Sequence, residues 1–168
     1  MNSSQITIEC VQSPEEIQIT SKLATDIWNE YYVPIIGQEQ VNYMVDKFQS
    51  PNAIETQIKN EGYEYYVINH LLEPMGYISV KLYGNELFLS KFYIDKQKRG
   101  TGLGKAGLNF IMSRAKELKA NSITLTVNKY NLDSIKVYEK MGFKNEGSII
   151  TDIGGGYVMD DYKMRLQI

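Results

Sequence analysis

The sequence predicts an α+β fold in which helices flank a mostly antiparallel sheet of about seven strands, in one domain over residues 1–168. Three observations carry this expectation. Helical periodicity dominates the first third of the chain, from Pro14 to about Gly62. Three runs rich in aromatic and branched residues then follow one another across short turns, the pattern of an antiparallel meander. After them a glycine-rich turn, an apolar-striped helix and one more strand make a strand–helix–strand unit, whose two strands run parallel. A length of 168 residues suits one domain of the usual ~100–200 and can bury roughly 70% of its unfolded surface.

The elements can be justified in order. Gln5–Val11 alternates as an opening strand. Ser13-Pro14-Glu15-Glu16 is a helix start, with Ser as N-cap, Pro in the first turn and Glu three residues after the cap. Leu23, Ala24, Ile27, Trp28 and Tyr31 recur at helical spacing up to Pro34. Val41, Met44, Val45 and Phe48 repeat the pattern in a short second helix, and Ser50-Pro51 starts a third that ends near Gly62. Strands at Tyr63–Asn69, Met75–Tyr83 and Leu87–Ile94 are separated by turns at Leu71–Pro74 and Gly84-Asn85. A helix striped by Leu103, Gly107, Phe110, Ile111, Ala115 and Leu118 precedes a strand at 122–127. Asn131 caps another helix, which stops at Gly142. A final hairpin, 143–153 and 156–167, turns at Gly154-Gly155-Gly156.

Composition excludes several classes of protein. Hydrophobic residues at 43% and charged residues at 23% rule out wholesale disorder. No apolar run approaches the ~20 residues that span a bilayer, and Met1–Gln5 does not read as a signal peptide. The lone Cys10 cannot form an internal disulfide, so a reducing cytoplasm is the expected compartment. The net charge of −2 hides an asymmetry. Residues 1–90 hold four Lys against twelve Asp/Glu, a net −8, and residues 91–168 hold fourteen Lys/Arg against eight acids, a net +6. Such a split suits an anion held by one half and a cation by the other, or two solvated surfaces of unlike composition.

The sharpest feature is the turn Arg99-Gly100-Thr101-Gly102-Leu103-Gly104, directly after a strand and opening a helix. Glycines let backbone N–H groups approach a ligand, and the helix start adds unpaired donors and partial positive charge. Lys96, Lys98, Arg99 and Lys105 add four cations within ten residues, so a pyrophosphate is the natural partner. Gly102-Leu103-Gly104-Lys105-Ala106-Gly107 does match G-x-G-x-x-G. However, the following strand ends Val127-Asn128-Lys129 with no acid for a ribose, and the unit follows an antiparallel meander. A Walker A loop fails because Ala106 follows Gly104-Lys105. A turn with no ligand is the bland reading.

The third candidate fits. R-x-x-G-x-G over Arg99–Gly104, followed one helix and one strand later by Asn131-Leu-Asp-Ser-Ile-Lys-Val-Tyr-Glu-Lys-Met-Gly-Phe143, resembles the acetyl-CoA-binding motifs of the GNAT superfamily of N-acetyltransferases. The order of elements is similar from residue 5 to 168. The resemblance implies a parallel strand pair splayed at an acetyl-CoA site. It implies pyrophosphate contacts from Arg99, Gly100, Thr101, Gly102, Leu103, Gly104 and Lys105, and a pantetheine arm paired with backbone groups of Phe92 and Ile94. Asn131, Ser134 and Lys140 complete the implied cofactor site. Acetyl-CoA is the cosubstrate and no metal is needed.

Asn131, Ser134 and Tyr138 fall at i, i+3 and i+7, on one helical face. The resemblance makes Tyr138 the general acid, since a phenol of ordinary pKa near 10 keeps its proton at neutral pH and can give it to the leaving thiolate. The alternative is a half-buried tyrosine packed on the sheet. The implied reaction is direct attack by a neutral amine on the thioester, with a backbone amide around Phe92–Tyr93 polarising the carbonyl oxygen. Cys10 reads as a small buried hydrophobe, and His70 as surface or turn packing. Many relatives place a Glu as base in the strand before the turn, where this chain has Ser90. Glu86 lies too far out, and Glu30 could act through water.

The resemblance puts the acceptor between the N-terminal helices and the last hairpin. The acidic half supplies Trp28, Tyr31, Tyr32 and Tyr43 there, which suits a cationic amine. The stretch Trp28–Phe48 with Ser50-Pro51-Asn52 looks similar to that region of bacterial polyamine acetyltransferases. The expected partner is therefore a small amine, with neither nucleic acid nor membrane, and with a homodimer left open. The alternatives are a protein or peptide N-terminal acetyltransferase and a non-catalytic acyl-CoA sensor. A nucleic-acid module using the basic stretch 91–119 lacks a binding motif and suits poorly a chain of pI near 5.5.

Overall fold

The computed structural model describes residues 5–98 and 100–168. A seven-stranded sheet runs through the molecule in the order β1-β2-β3-β4-β5-β7-β6. Its strands are β1 (Ile6–Cys10), β2 (Tyr63–His70), β3 (Glu73–Tyr83), β4 (Glu86–Ile94), β5 (Ser122–Asn128), β6 (Lys144–Gly154) and β7 (Tyr157–Gln167). All neighbours are antiparallel except β4 and β5, the two strands of the strand–helix–strand unit. The helices are α1 (Pro14–Ile36), α2 (Gln38–Gln49), α3 (Pro51–Asn60), α4 (Leu103–Glu117) and α5 (Leu132–Lys140).

Period-two alternation divides the core into two layers. On one face Leu87, Leu89, Ile123, Leu125 and Met164 pack with Leu103, Ile111 and Ala115 of α4 and Ile135 of α5. On the other, Tyr65, Val67, Tyr77 and Ile153 pack under Ile27, Trp28 and Tyr32 of α1, Val41 and Met44 of α2 and Ile54 of α3. A buried amide ties the second layer together: Gln49 accepts a hydrogen bond from the Tyr77 hydroxyl at 2.7 Å and donates to that of Tyr65 at 3.1 Å.

The local signals act as chemistry requires. Ser13 and Glu16 form the reciprocal capping box, Ser50 caps α3, and Asn131 caps α5 through a hydrogen bond from the Ser134 amide. The structure also corrects several expectations. Helix α1 continues through Pro34 to Ile36 and stops at Gly37, with φ +87°. In the last turn a proline forfeits a single backbone bond, which a long packed helix tolerates. The first hairpin turns on Leu71 and Leu72 alone, both in the left-handed region, so β3 starts at Glu73. Cys10 is exposed at the edge strand, not buried. His70 is buried at the end of β2, so the surface half of its reading fails and turn packing stands.

Candidate active site

The parallel ladder is short. Among the described residues, β4 and β5 pair only at Glu86–Phe88 against Ser122–Thr124, and beyond Phe88 the β4 edge has no strand partner on that side. A bulge helps to part them: Lys91 pairs with Ser79 and Leu89 with Val80, leaving Ser90 without a partner. The result is a wedge that opens toward the C-terminal ends of both strands.

An open cleft of about 930 Å³ lies beyond the wedge. Phe92 and Ile94 of β4 line one wall, Gly104 and Lys105 of α4 close one end, and Asn131 and Ser134 of α5 line the opposite wall. Tyr138 and Lys140 also face this cleft, as does Lys96. A narrower space of about 30 Å³ occupies the wedge itself, bordered by Ser90, Tyr93, Thr126 and Tyr32. Phe92, Asn131, Ser134 and Tyr138 border both spaces, so Tyr138 stands where they meet.

The glycine turn is built to present donors. The Asp95 carbonyl receives the Lys98 amide and its carboxylate receives that of Gln97, which folds Lys96–Lys98 into a single 3₁₀ turn. Gly100 and Gly102 take φ +77° and +89°, where a β-carbon is strained, and Gly102 is the N-cap of α4. The first intrahelical bond returns from Ala106 to Gly102, so the amides of Leu103, Gly104 and Lys105 are unpaired within the helix. A β-carbon at Gly100, Gly102 or Gly104 would meet nothing within 4 Å. Leu103 buries its side chain fully in the core and borders neither space. Thr101 is bound back to the Lys98 carbonyl and borders neither space. Arg99 lies outside the described residues.

Phenols crowd the other end. Tyr32 and Tyr93 share a 2.8 Å hydrogen bond, and Trp28, Tyr31 and Tyr77 pack edge-on or tilted against the Tyr93 ring at 5.7–6.0 Å. Burial pushes the Tyr32 phenol up to about 12 and raises that of Tyr93 well above its ordinary value. Tyr138, edge-on to Phe143 at 5.4 Å, is also raised by burial, with Tyr32 and Tyr31 adding repulsion. Its pKa therefore departs upward from the ordinary phenol value that the sequence suggests, and the proton is held more firmly. Of the aromatic residues expected to line an acceptor approach, Tyr31 borders the cleft and Tyr32 the wedge. Trp28 is core instead, and Tyr43 is tied by its hydroxyl to the Ile153 carbonyl of the last hairpin.

The carboxylates weighed as a base fall into place. Ser90 does stand at the strand position, its hydroxyl 2.7 Å from the Lys91 ammonium. Glu86 is ion-paired with Arg165, and Glu30 is an exposed residue at the rim of the cleft. Two further groups escaped the sequence reading. Half-buried Lys91 sits 6.0 Å from the Trp28 ring, and desolvation pulls its pKa down to about 8. Asp161 on β7 is 4% exposed, and burial with repulsion from Asp160 raises it to about 6. The adjacent Asp160-Asp161 pair in a strand was the available signal, because alternation must send one of the two inward. Among the described residues no cluster of His, Cys, Asp or Glu could hold a metal, and no helix is long and apolar enough to cross a membrane.

A seven-stranded sheet split at one parallel pair, with a glycine turn and a helix N-terminus at the mouth of the split, defines a fold for holding a phosphate-bearing ligand beside a β-strand. Residues 32–165 match the family model described as an acetyltransferase (GNAT) domain, and the chain belongs to that family. It is 35% identical over 74 residues to a probable spermine N(1)-acetyltransferase of Bacillus subtilis subsp. natto, covering 44% of this chain and 47% of the relative. It is 31% identical over 94 residues to the peptidyl-lysine N-acetyltransferase YjaB of Escherichia coli, covering 55% and 58%. These matches thus span about half the length of the curated relatives. Among solved structures, the PaiA N-acetyltransferase of Thermoplasma acidophilum, crystallised with coenzyme A, superposes with a TM-score of 0.80 at 20% identity, over 97% of this chain and 99% of that one.

Proposed function

We propose that this chain transfers an acetyl group from acetyl-CoA to a small amine of the polyamine type, with Tyr138 as the general acid. The observation that carries the reading is the position of Tyr138, at the junction between a cleft suited to CoA and a wedge that opens under the N-terminal helices. The amides of Gly104 and Lys105, with the ammonium groups of Lys105 and Lys96, would take the pyrophosphate. The unpaired edge of β4 beside Phe92 and Ile94 would pair with the amides of the pantetheine arm as a strand would. Asn131, Ser134 and Lys140 would hold the far side.

In this geometry a backbone amide near Phe92–Tyr93 polarises the thioester carbonyl, and the departing thiolate takes a proton from Tyr138. The likeness to a spermine acetyltransferase supports a polyamine, and so does the acidic N-terminal half. The match to a peptidyl-lysine acetyltransferase supports a second reading, a side-chain or terminal amine on a peptide. Steady-state assays with acetyl-CoA and a panel of spermine, spermidine, monoamines and lysine peptides test both. Preference for di- and polycations is expected, and its absence sinks the polyamine reading. CoA binding without turnover of any amine would make the protein an acyl-CoA sensor. Gly102→Glu, which sets a side chain and a negative charge at the turn, should abolish CoA binding.

A further inference from the structure

Resting on that reading, we propose that Asp161 is the residue that receives the acceptor: its carboxylate holds the substrate ammonium and takes the proton that must leave before attack. The inference begins from a carboxylate with no structural use. Asp161 is 4% exposed, its Oδ1 has no hydrogen-bond partner, and it makes no ion pair among the described residues. Proteins do not keep a buried acid unpaired without cost, and a bound cation is the partner that would relieve it.

Position gives the second observation. Asp161 pairs across the ladder with Asn128, the last residue of β5, which shares a face with Thr126 at the border of the wedge. Alternation puts Asp161 on the same face as Met159, which packs under the N-terminal helices, and opposite to Tyr162 and Met164. Tyr32, which borders the wedge with Tyr138, lies within electrostatic reach of both Asp161 and Tyr138. The carboxylate therefore lies on the sheet face that holds Tyr32 and Met159, under the N-terminal helices where the proposed acceptor enters. This fills the role that Ser90 cannot take.

The proton balance closes. An ammonium R–NH₃⁺ gives one proton to the Asp161 carboxylate, and the free amine attacks the thioester carbon of acetyl-CoA. The C–N bond forms, the C–S bond breaks, and the thiolate takes the Tyr138 proton. The nitrogen then sheds its second proton, which restores the tyrosine through solvent. Asp161 releases its proton to solvent, so one proton leaves per amide formed.

The groups around Asp161 are few. Tyr32 of α1 lies within electrostatic reach, Asp160, Tyr162 and Lys163 stand near it on its own strand, and Lys129 follows β5. The β6 partner Ile149 and the β5 partner Asn128 do not titrate. Lys129 pairs with Asp160 at 2.7 Å, which leaves Asp161 as the free acid.

The test uses Asp161→Asn, of the same shape, with Asp161→Glu as the conservative variant, and the best amine of the panel. Asp161→Asn is expected to lower kcat/KM for that alkylamine by about 10²–10³-fold. CoA affinity by calorimetry should stay within twofold, and the acidic limb of the pH profile near 6 should vanish. Asp161→Glu should recover part of the rate. An aromatic amine that carries no proton at pH 7 should lose far less, because it needs no base. Unchanged kcat/KM, equal losses on the two amines, or an unmoved pH profile would each overturn the assignment. Failure of the wild type to acetylate any amine would refute the underlying transferase reading instead.

Discussion

Replacing Gly107 by alanine separates stability from cofactor binding. Gly107 lies inside α4, and a β-carbon there would meet Phe92 Cε1 at 2.7 Å and Cζ at 2.9 Å, with Ile68 Cδ1 at 3.4 Å. Comfortable carbon contacts begin near 3.5 Å, so the Phe92 ring must move by roughly 1 Å. Ile68 is fully buried behind it, and the half-buried ring borders the cleft on its open side, so it can give way only into the cleft. Alanine gains about 1 kcal/mol in helix propensity over glycine, against about 1–3 kcal/mol for overpacking. The net loss is about 0–2 kcal/mol, a drop in Tm of up to roughly 8 °C for a chain of this size. A ring displaced across the wall that would carry the pantetheine arm should cost CoA affinity about tenfold, or ~1.4 kcal/mol. Calorimetric titration with CoA and differential scanning calorimetry read the two effects separately. Phe92→Leu should rescue the alanine variant, with a coupling of about 0.5–3 kcal/mol across the cycle. An alanine variant that melts higher and binds CoA as well as the wild type would refute the placement of Phe92 on the cofactor wall.

Three other outcomes follow from the same geometry. Gly76→Ala would set a β-carbon 2.5 Å from the Tyr93 backbone oxygen, and backbone in a central strand cannot yield. It should cost about 3 kcal/mol or more in denaturant melts, well beyond Gly107→Ala. Tyr138→Phe should lower kcat and kcat/KM together by about 10²–10⁴-fold with CoA affinity unchanged, and full activity would reduce Tyr138 to a packing partner of Phe143. Asp161 has its folded pKa raised from 3.8 to about 6, so its ionised form opposes folding, fully above pH 6 and not at all below about 4. Asp161→Asn should therefore melt higher at pH 8, by about 1–3 kcal/mol in stability, and converge with the wild type at pH 4.

Local chemistry made most of the fold readable. Ser13, Ser50 and Asn131 announced three helix starts because a capping side chain acts within three residues. The meander and the parallel pair followed from strand texture and turn length. What failed were judgements on which face a residue meets. Cys10 reads as a small buried hydrophobe because no partner group marks it as a nucleophile, but β1 is the sheet edge and leaves it exposed. Trp28 looked like a ligand-facing aromatic, yet its position on α1 turns it onto Tyr93 and Tyr77. The cleft-lining residues Asn131, Ser134 and Tyr138 were readable because one helix fixes their spacing. For Asp161 the adjacent Asp160-Asp161 pair shows only that one acid turns inward, and the packing of the folded sheet decides which.

The division of charge along the chain shows the same limit from another side. Part of it is paired across the boundary at residue 90. Arg114 of the basic half grips Glu64 of the acidic half through two bonds of 2.8 and 2.9 Å, and Arg165 pairs with Glu86. Such part-exposed pairs contribute about 1 kcal/mol or less each, but they remove both partners from any role in attracting a ligand. What directs a ligand is the charge left over after pairing. Among the described residues that remainder includes Lys96, Lys98 and Lys105 around the glycine turn, none of them in an ion pair, and the buried carboxylate of Asp161 on β7. Under the proposed function the turn is the cationic pole and Asp161 the anionic one. That anionic residue belongs to the half that counts as basic. A sequence-wide charge count can therefore suggest that two unlike ligands meet in this fold, while only the pairing of individual side chains selects the residues that meet them.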